Sequence, residues 1–160
     1  MMEAESVSDE TLIAELRKVA GMVWDQAELA GRDPGFDRRN FGASALVRPA
    51  DTAEVVALVR FCAAHGLSLV AQGGRTGLTG AATTVPGQII CDLGAMHQVE
   101  EIDPLARVAI VQAGTPLGTL QAAALAQGLD PDIDLAARGS APLAAWFPPM
   151  PAARMMLKTR

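Results

Sequence analysis

The residues best suited to chemistry in this sequence form one stretch, Gln72-Gly73-Gly74-Arg75-Thr76-Gly77-Leu78-Thr79-Gly80. Glycine lacks a Cβ and so admits positive φ, which lets successive backbone N–H groups turn toward one point. A nest of that kind holds an anion such as a phosphate, and nothing bulky keeps a pyrophosphate off the backbone. The two commonest nucleotide loops do not fit. A P-loop ends in Gly-Lys-Ser or Gly-Lys-Thr, and no lysine lies in this stretch. A Rossmann loop opens an apolar helix, whereas this one runs into Ala81-Ala82-Thr83-Thr84-Val85-Pro86-Gly87, a poor helix start. Taken alone, the glycines fit a tight surface turn between strands equally well.

The other reactive side chains point to structure rather than catalysis. His65 precedes Gly66 at the expected end of a helix, where a cation meets the C-terminus favourably. His97 falls in a polar turn and reads as solvated. Cys62 reads as a core residue, Cys91 as a strand residue, and Arg38 with Arg39 as a solvated loop pair. Arg75 either pairs with a phosphate or extends from an exposed loop. Asp132 and Asp134 suit turns or caps better than a metal or acid–base pair. No catalytic residue and no metal ligand is assigned.

Elements must position the glycine stretch. A first helix is expected from a Ser8 cap, with Asp9 and Glu10 in its first turn. It carries Leu12, Leu16, Val19 and Val23 at helical spacing and ends at Gly31. A polar loop, 32–39, follows. Ala45-Leu46-Val47 reads as a strand, Asp51 with Glu54 as a capping-box-like helix start, and Val55, Leu58, Val59 and Cys62 as one helix face. Gly66 sits at the left-handed C-cap. Leu67–Ala71 reads as a second strand, and strand–helix–strand at this spacing implies a parallel pair with a right-handed crossover. Further strands are expected at Gln88–Leu93 and Val108–Gln112. Thr115 and Pro116 then open a helix that carries Leu117, Leu120 and Leu125 and ends at Gly128. The class is α+β, with a βαβ unit and a mixed sheet.

Composition narrows the possibilities. The 160 residues are enough for one domain. Half are hydrophobic, which excludes wholesale disorder. The formal charge of −5 and the lack of a clustered basic face exclude a nucleic-acid binder. Only 4% are aromatic, with no tyrosine, so Ala, Val and Leu must fill the core. Two well-separated cysteines exclude a disulfide scaffold and suit a reducing compartment. The N-terminus lacks the features of a signal peptide, and no apolar run approaches the roughly 20 residues of a membrane span. A soluble cytoplasmic protein is expected.

The wider pattern resembles the FAD-binding domain of the vanillyl-alcohol oxidase, or PCMH-type, fold. The residues that carry the resemblance are Arg48-Pro49, the helix 52–66, and the run Gly73 to Gly80. It continues through Val111-Gln112-Ala113-Gly114 with Leu117 and Leu120, and reaches Ile133-Asp134-Leu135-Ala136-Ala137-Arg138-Gly139-Ser140. The nearest branch looks like the FAD-linked D-2-hydroxy-acid dehydrogenases, which act on D-lactate, glycolate or D-2-hydroxyglutarate. The resemblance implies FAD as cofactor and a small 2-hydroxy acid as substrate of the full-length family. It implies that Gly73, Gly74, Arg75, Thr76 and Gly77 wrap the FAD diphosphate and that Leu78 and Gly80 complete the turn. Gly114 would lie where a strand passes the cofactor, and Gly139 with Ser140 would start a second cofactor-contacting segment. No histidine lies in Gly73–Gly80, so a covalent flavin link through that loop is not expected. Asp130-Pro131-Asp132 departs from the bulkier apolar residues usual in the family.

After Ser140 the resemblance stops. The family continues with glycine-rich cofactor-binding runs, whereas this chain turns to Pro and Ala from Ala141 onward. A reading frame shifted by one base is compatible with the family-like Met-Val-Ser-Thr-Asn-Ala-Gly-Gly from about Trp146. The expectation is therefore a frameshift near Ala141. It divides the chain into an N-terminal helix and loop (1–40), an incomplete FAD-binding domain (41–140) and a non-family, out-of-frame tail (141–160). The resemblance implies the N-terminal FAD-binding part of a flavin-dependent oxidoreductase whose full-length enzyme moves a hydride from the CH–OH carbon of a D-2-hydroxy acid to FAD, with this fragment alone inactive. One alternative is a remnant that holds FAD weakly or not at all. Another reaction on the same fold, such as enolpyruvyl reduction, is the remaining alternative.

Overall fold

The computed structural model describes residues 9–134, 139, 141–143 and 152–159. Ser8, the expected first cap, lies outside them. Helix α1 (Asp9–Val19) buries Leu12, Ile13 and Leu16. It stops well short of Gly31. A bend at Gly21 leads into strand β1 (Val23–Asp25), and α2 (Gln26–Leu29) follows directly. The expected single long helix is thus broken because Val23–Asp25 gains a ladder with a neighbouring strand, and because Asp25 opens a new helix. The Asp25 carboxylate accepts from the Glu28 N–H at 2.8 Å, and the Glu28 carboxylate accepts from the Asp25 N–H at 3.0 Å, a complete capping box.

Strand β2 (Ala45–Val47) and helix α3 (Thr52–Ala64) form as expected. Asp51 caps α3 by accepting from the Glu54 N–H at 2.9 Å, while the Glu54 carboxylate reaches back to the Ala50 N–H. Gly66, at φ +64°, reverses the chain into β3 (Ser68–Gln72). β2 and β3 do not pair with each other. Strand β4 (Gln88–Asp92) lies between them, parallel to both, giving the order β1-β2-β4-β3 with β1 antiparallel at one edge. The reason lies in apolar content. Ile89, Ile90 and Cys91 are all buried, and a strand apolar on both faces belongs at the centre of a sheet. Its pleat divides the core. Ile89 and Cys91 face Leu16 of α1 and Leu58 and Cys62 of α3, whereas Ile90 joins Leu46, Leu29 and Ala43 on the other side.

The remainder builds a second sheet. Strand β5 (Val99–Asp103), not foreseen from its polar composition, pairs antiparallel with β6 (Val108–Gln112). Asp103 closes the turn between them by accepting from the Leu105 and Ala106 N–H groups. Helix α4 (Leu117–Leu125) packs Leu117, Leu120 and Ala124 into the core beneath. Thr115 is not its cap. Pro116 occupies that position with no side-chain bond, the Thr115 hydroxyl donates to the Gln98 carbonyl, and the Leu117 N–H donates to Ala141 O at 3.1 Å. After β7 (Leu129–Asp130), the expected tail supplies β8 (Ala152–Met156), antiparallel to β6, and β9 (Lys158–Thr159), antiparallel to β7. Leu143, Met155 and Leu157 join the same core as α4. Among the described residues, no helix is long and apolar enough to cross a membrane.

Candidate functional site

β3 and β4 run parallel and end side by side, Gln72 opposite Asp92, with the glycine stretch leaving from that end. Sites in open α/β sheets commonly lie beyond the carboxyl ends of parallel strands. The loop is anchored at several points. The side chain of Gln72, 2% exposed, donates through Nε2 to Asn40 O and to Ala82 O, both at 2.7 Å. That tie fastens the residue before the loop to one just beyond it. Gln72 Oε1 is buried without a hydrogen-bond partner among the described residues. At the far end the Thr83 hydroxyl and N–H both donate to Gly80 O.

The middle of the loop is held from below by a buried carboxylate. The Asp92 side chain, 2% exposed, accepts through Oδ2 from Arg48 Nη2 at 2.7 Å and Arg75 Nη1 at 3.2 Å. Its Oδ1 accepts from the Gly94 N–H at 2.8 Å. Each guanidinium also lies over an aromatic ring: Arg75 over Phe41 at 5.0 Å, and Arg48 over Trp24 at 5.2 Å. Arg32 lies 4.2 Å from the same indole. Arg75 is therefore neither an extended surface arginine nor a free one, since its side chain is 19% exposed and ion-paired. Its backbone adopts φ +52°, and its carbonyl accepts from the Phe36 N–H. Gly35 is required at that contact, because a Cβ there would lie 2.6 Å from Arg75 O.

The glycines work differently from the expectation. Within the loop, positive φ occurs at Arg75 and Gly80, not at Gly73, Gly74 or Gly77. Gly73 is needed for close approach, since a Cβ there would lie 2.1 Å from Pro142 Cγ. Pro142 also bridges to Pro116, so the loop and the segment after Ser140 meet at one end of the fold. Gly74 and Thr76 are half-buried, while Gly77 and Leu78 are exposed, Leu78 at 84%. Among the described residues, the N–H groups of 74–79 donate to no protein acceptor. Gly114 is packed tightly against the turn after β4. Its N–H donates to Met96 O at 2.8 Å, and a Cβ would meet Leu93 O at 1.9 Å. Gly139 is exposed with open space around it, and Ser140 lies outside the described residues.

Other residues take plain structural roles. His65 stacks on Phe61, and its Nδ1 lies 2.9 Å from Phe61 O. Arg39 pairs with Asp37 at 2.7 Å, and that hydrogen-bonded partner holds the Asp37 carboxyl below its usual value. Asp92 and the role of Arg48 are not foreseen from sequence. The available signal was a carboxylate closing an apolar strand, in register with the start of the loop.

Beside Asp92, burial pushes the Cys91 thiol up to about 12, with the neighbouring carboxylate adding to the shift. Burial also raises Cys62. The folded state keeps the Cys91 proton where the unfolded chain loses it. Stability is therefore full below the unfolded thiol value, about 8.5, and falls as pH rises from there toward 12. In urea titrations at pH 8 and pH 10, a Cys91→Ala variant is expected to show a slope shallower than wild type by roughly 1 kcal/mol per pH unit. Equal slopes would mean that the thiol ionises freely in the folded state.

Comparison with known proteins identifies relatives of the chain. Residues 43–147 match the sequence family described as FAD binding domain. The chain is 38% identical over 96 residues to a D-2-hydroxyglutarate dehydrogenase from Xanthomonas citri pv. viticola, covering 60% of this chain and 20% of that protein. It is 35% identical over 136 residues to the mitochondrial D-2-hydroxyglutarate dehydrogenase of Bos taurus, covering 84% of this chain and 25% of that one. Among solved structures, the 4-ethylphenol oxidase from Gulosibacter chungangensis superposes with a TM-score of 0.70 at 28% identity, over 87% of this chain and 29% of the oxidase. p-Cresol methylhydroxylase shares the fold, with a TM-score of 0.60 at 22% identity, over 73% of this chain and 24% of that one. The chain thus spans a fifth to a quarter of the curated relatives it matches.

Proposed function

The chain belongs to the FAD binding domain family, with FAD as its cofactor, and from that premise we propose that loop 73–80 holds the FAD diphosphate in the N-terminal part of a flavin-dependent oxidoreductase acting on a D-2-hydroxy acid. One observation carries the reading of the loop: the backbone N–H groups of 74–79 have no protein acceptor among the described residues, on a loop anchored at its start, middle and end. Donors without protein acceptors, on a loop tied at both ends, suit an anion that takes the place of water at them. The residues present fit a diphosphate in charge as well. Asp92 pairs with both Arg48 and Arg75 at the root of the loop, and that cluster carries one net positive charge. Gly77 adds no side chain of its own, and a Cβ there would meet nothing within 4 Å.

FAD, when bound, supplies the hydride acceptor for oxidation of a carbon bearing a hydroxyl group. The residues of this chain bind and orient it: the loop amides meet the diphosphate, and the parallel strands fix where those amides point. Support for a D-2-hydroxy acid as substrate comes from the two dehydrogenase relatives.

The test is a fluorescence titration of FAD, ADP and riboflavin onto the chain and its Gly77→Asp variant. Gly77 is exposed, a Cβ added there would meet no atom within 4 Å, and its φ lies outside the left-handed region, so the substitution leaves packing untouched. A carboxylate placed there faces the diphosphate. FAD and ADP affinities are expected to fall about thirty-fold or more, with riboflavin binding and the melting temperature unchanged. Wild-type affinity for FAD in the variant would overturn the placement of the diphosphate on this loop.

A further inference from the structure

We infer that Asp92 is the positioning residue of the diphosphate loop: it holds Arg75 beneath the loop, so that the amides of 74–79, and not the Arg75 guanidinium, meet the anion. The inference rests on the reading of that loop as the diphosphate site. A carboxylate removed from water must be compensated by hydrogen bonds and opposite charge. Asp92 has both, from two guanidiniums and the Gly94 N–H. A non-glycine residue at positive φ costs about 1 kcal/mol or more and persists only where its surroundings over-determine it. Arg75 sits at φ +52°, and three contacts hold it there: the ion pair to Asp92, the face of Phe41, and the Phe36 N–H on its carbonyl.

The register supplies the placement. Asp92 lies opposite Gln72, the residue immediately before the loop, so the anchor sits directly beside its root. Arg48 fixes Asp92 from the other side and is itself held over Trp24. The cluster therefore leaves one net positive charge at the root of the loop. If Arg75 instead gripped the anion directly, it would have to leave Asp92, and the buried carboxylate would lose one of its two cationic partners.

The two arrangements predict opposite signs. In Asp92→Asn the shape is kept and the charge is lost. Positioning by Asp92 predicts that FAD and ADP bind about ten-fold more weakly while riboflavin is unchanged. It also predicts that backbone order parameters across 74–80 in the unliganded chain fall from the rigid range, about 0.85, to below about 0.6. Tighter FAD binding in this variant would mean that Asp92 merely restrains a phosphate-gripping Arg75, and would overturn the inference. Arg75→Gln is the second variant, since Asp92 then keeps Arg48 and Gly94 and the fold retains its buried pair. Lower unliganded order parameters in Arg75→Gln support anchoring. Unchanged order parameters with lost FAD affinity mark Arg75 as a direct ligand and overturn it. A wild-type chain that binds no FAD, with both variants still loosening the loop, would sink the diphosphate reading while upholding the anchor.

Discussion

Replacing Gly114 by alanine is expected to remove about 3 kcal/mol of stability, the upper end for forcing one carbon into a packed interior. The added Cβ would stand 1.9 Å from Leu93 O, 2.8 Å from Leu93 C and 2.8 Å from Met96 O. All three are backbone atoms. A side-chain tip can swing aside, but these atoms belong to the turn that follows the central strand and carries the Gly94 N–H bonded to Asp92. The Gly114 N–H itself donates to Met96 O at 2.8 Å, so the segment cannot retreat without losing that bond. Urea unfolding measures the effect. Gly21→Ala serves as the control, because its Cβ would meet nothing within 4 Å and should change stability by less than about 0.5 kcal/mol. A loss below about 1 kcal/mol at Gly114 would show that the turn gives way easily. The expected result also separates two meanings of a glycine. A cofactor contact would lower FAD affinity in a chain of normal stability, whereas a packing contact lowers stability whether or not FAD is present.

Ile89→Ala is expected to cost about 3–4 kcal/mol, within the range for a truncated buried isoleucine. Ile89 is fully buried at the centre of the sheet, in ladder register with Ala45 on one side and Leu69 on the other. It shares its core with Leu16, Leu58 and Cys62, so a void there would be lined by two helices and the sheet. Helices anchored by several other contacts collapse only partly onto such a void, and the lost contacts stay lost. Calorimetry is expected to place the melting point roughly 10 °C lower. Leu105→Ala, at a residue 97% exposed, should leave it unchanged. A drop of under 3 °C for Ile89→Ala would mean that the two helices repack freely over the sheet.

Local signals carried much of the architecture. The Asp51 cap, the Gly66 reversal and the apolar runs at Ala45–Val47 and Gln88–Asp92 depend on residues close in the chain, and each formed where its residues stand. The glycine stretch was equally legible as a loop. Where local pattern misled, a distant partner decided the outcome. Val19 and Val23 share a helical spacing, but Val23 pairs with Val47 instead, because a strand edge was available to it. Val99–Asp103 has too few apolar residues to read as a strand, and it becomes one because β6 lies beside it.

The chain's own letters determined that a glycine-rich loop follows the strand 68–72 and that a helix precedes it, because turn, cap and strand preferences act over a few residues. The tertiary structure alone decided why the glycines are there and what steadies them. Gly73 and Gly114 answer to Pro142 and Leu93, and Arg75 answers to Asp92. Steric exclusion and charge pairing act between atoms that are near in space and far apart in sequence, so no local pattern records them.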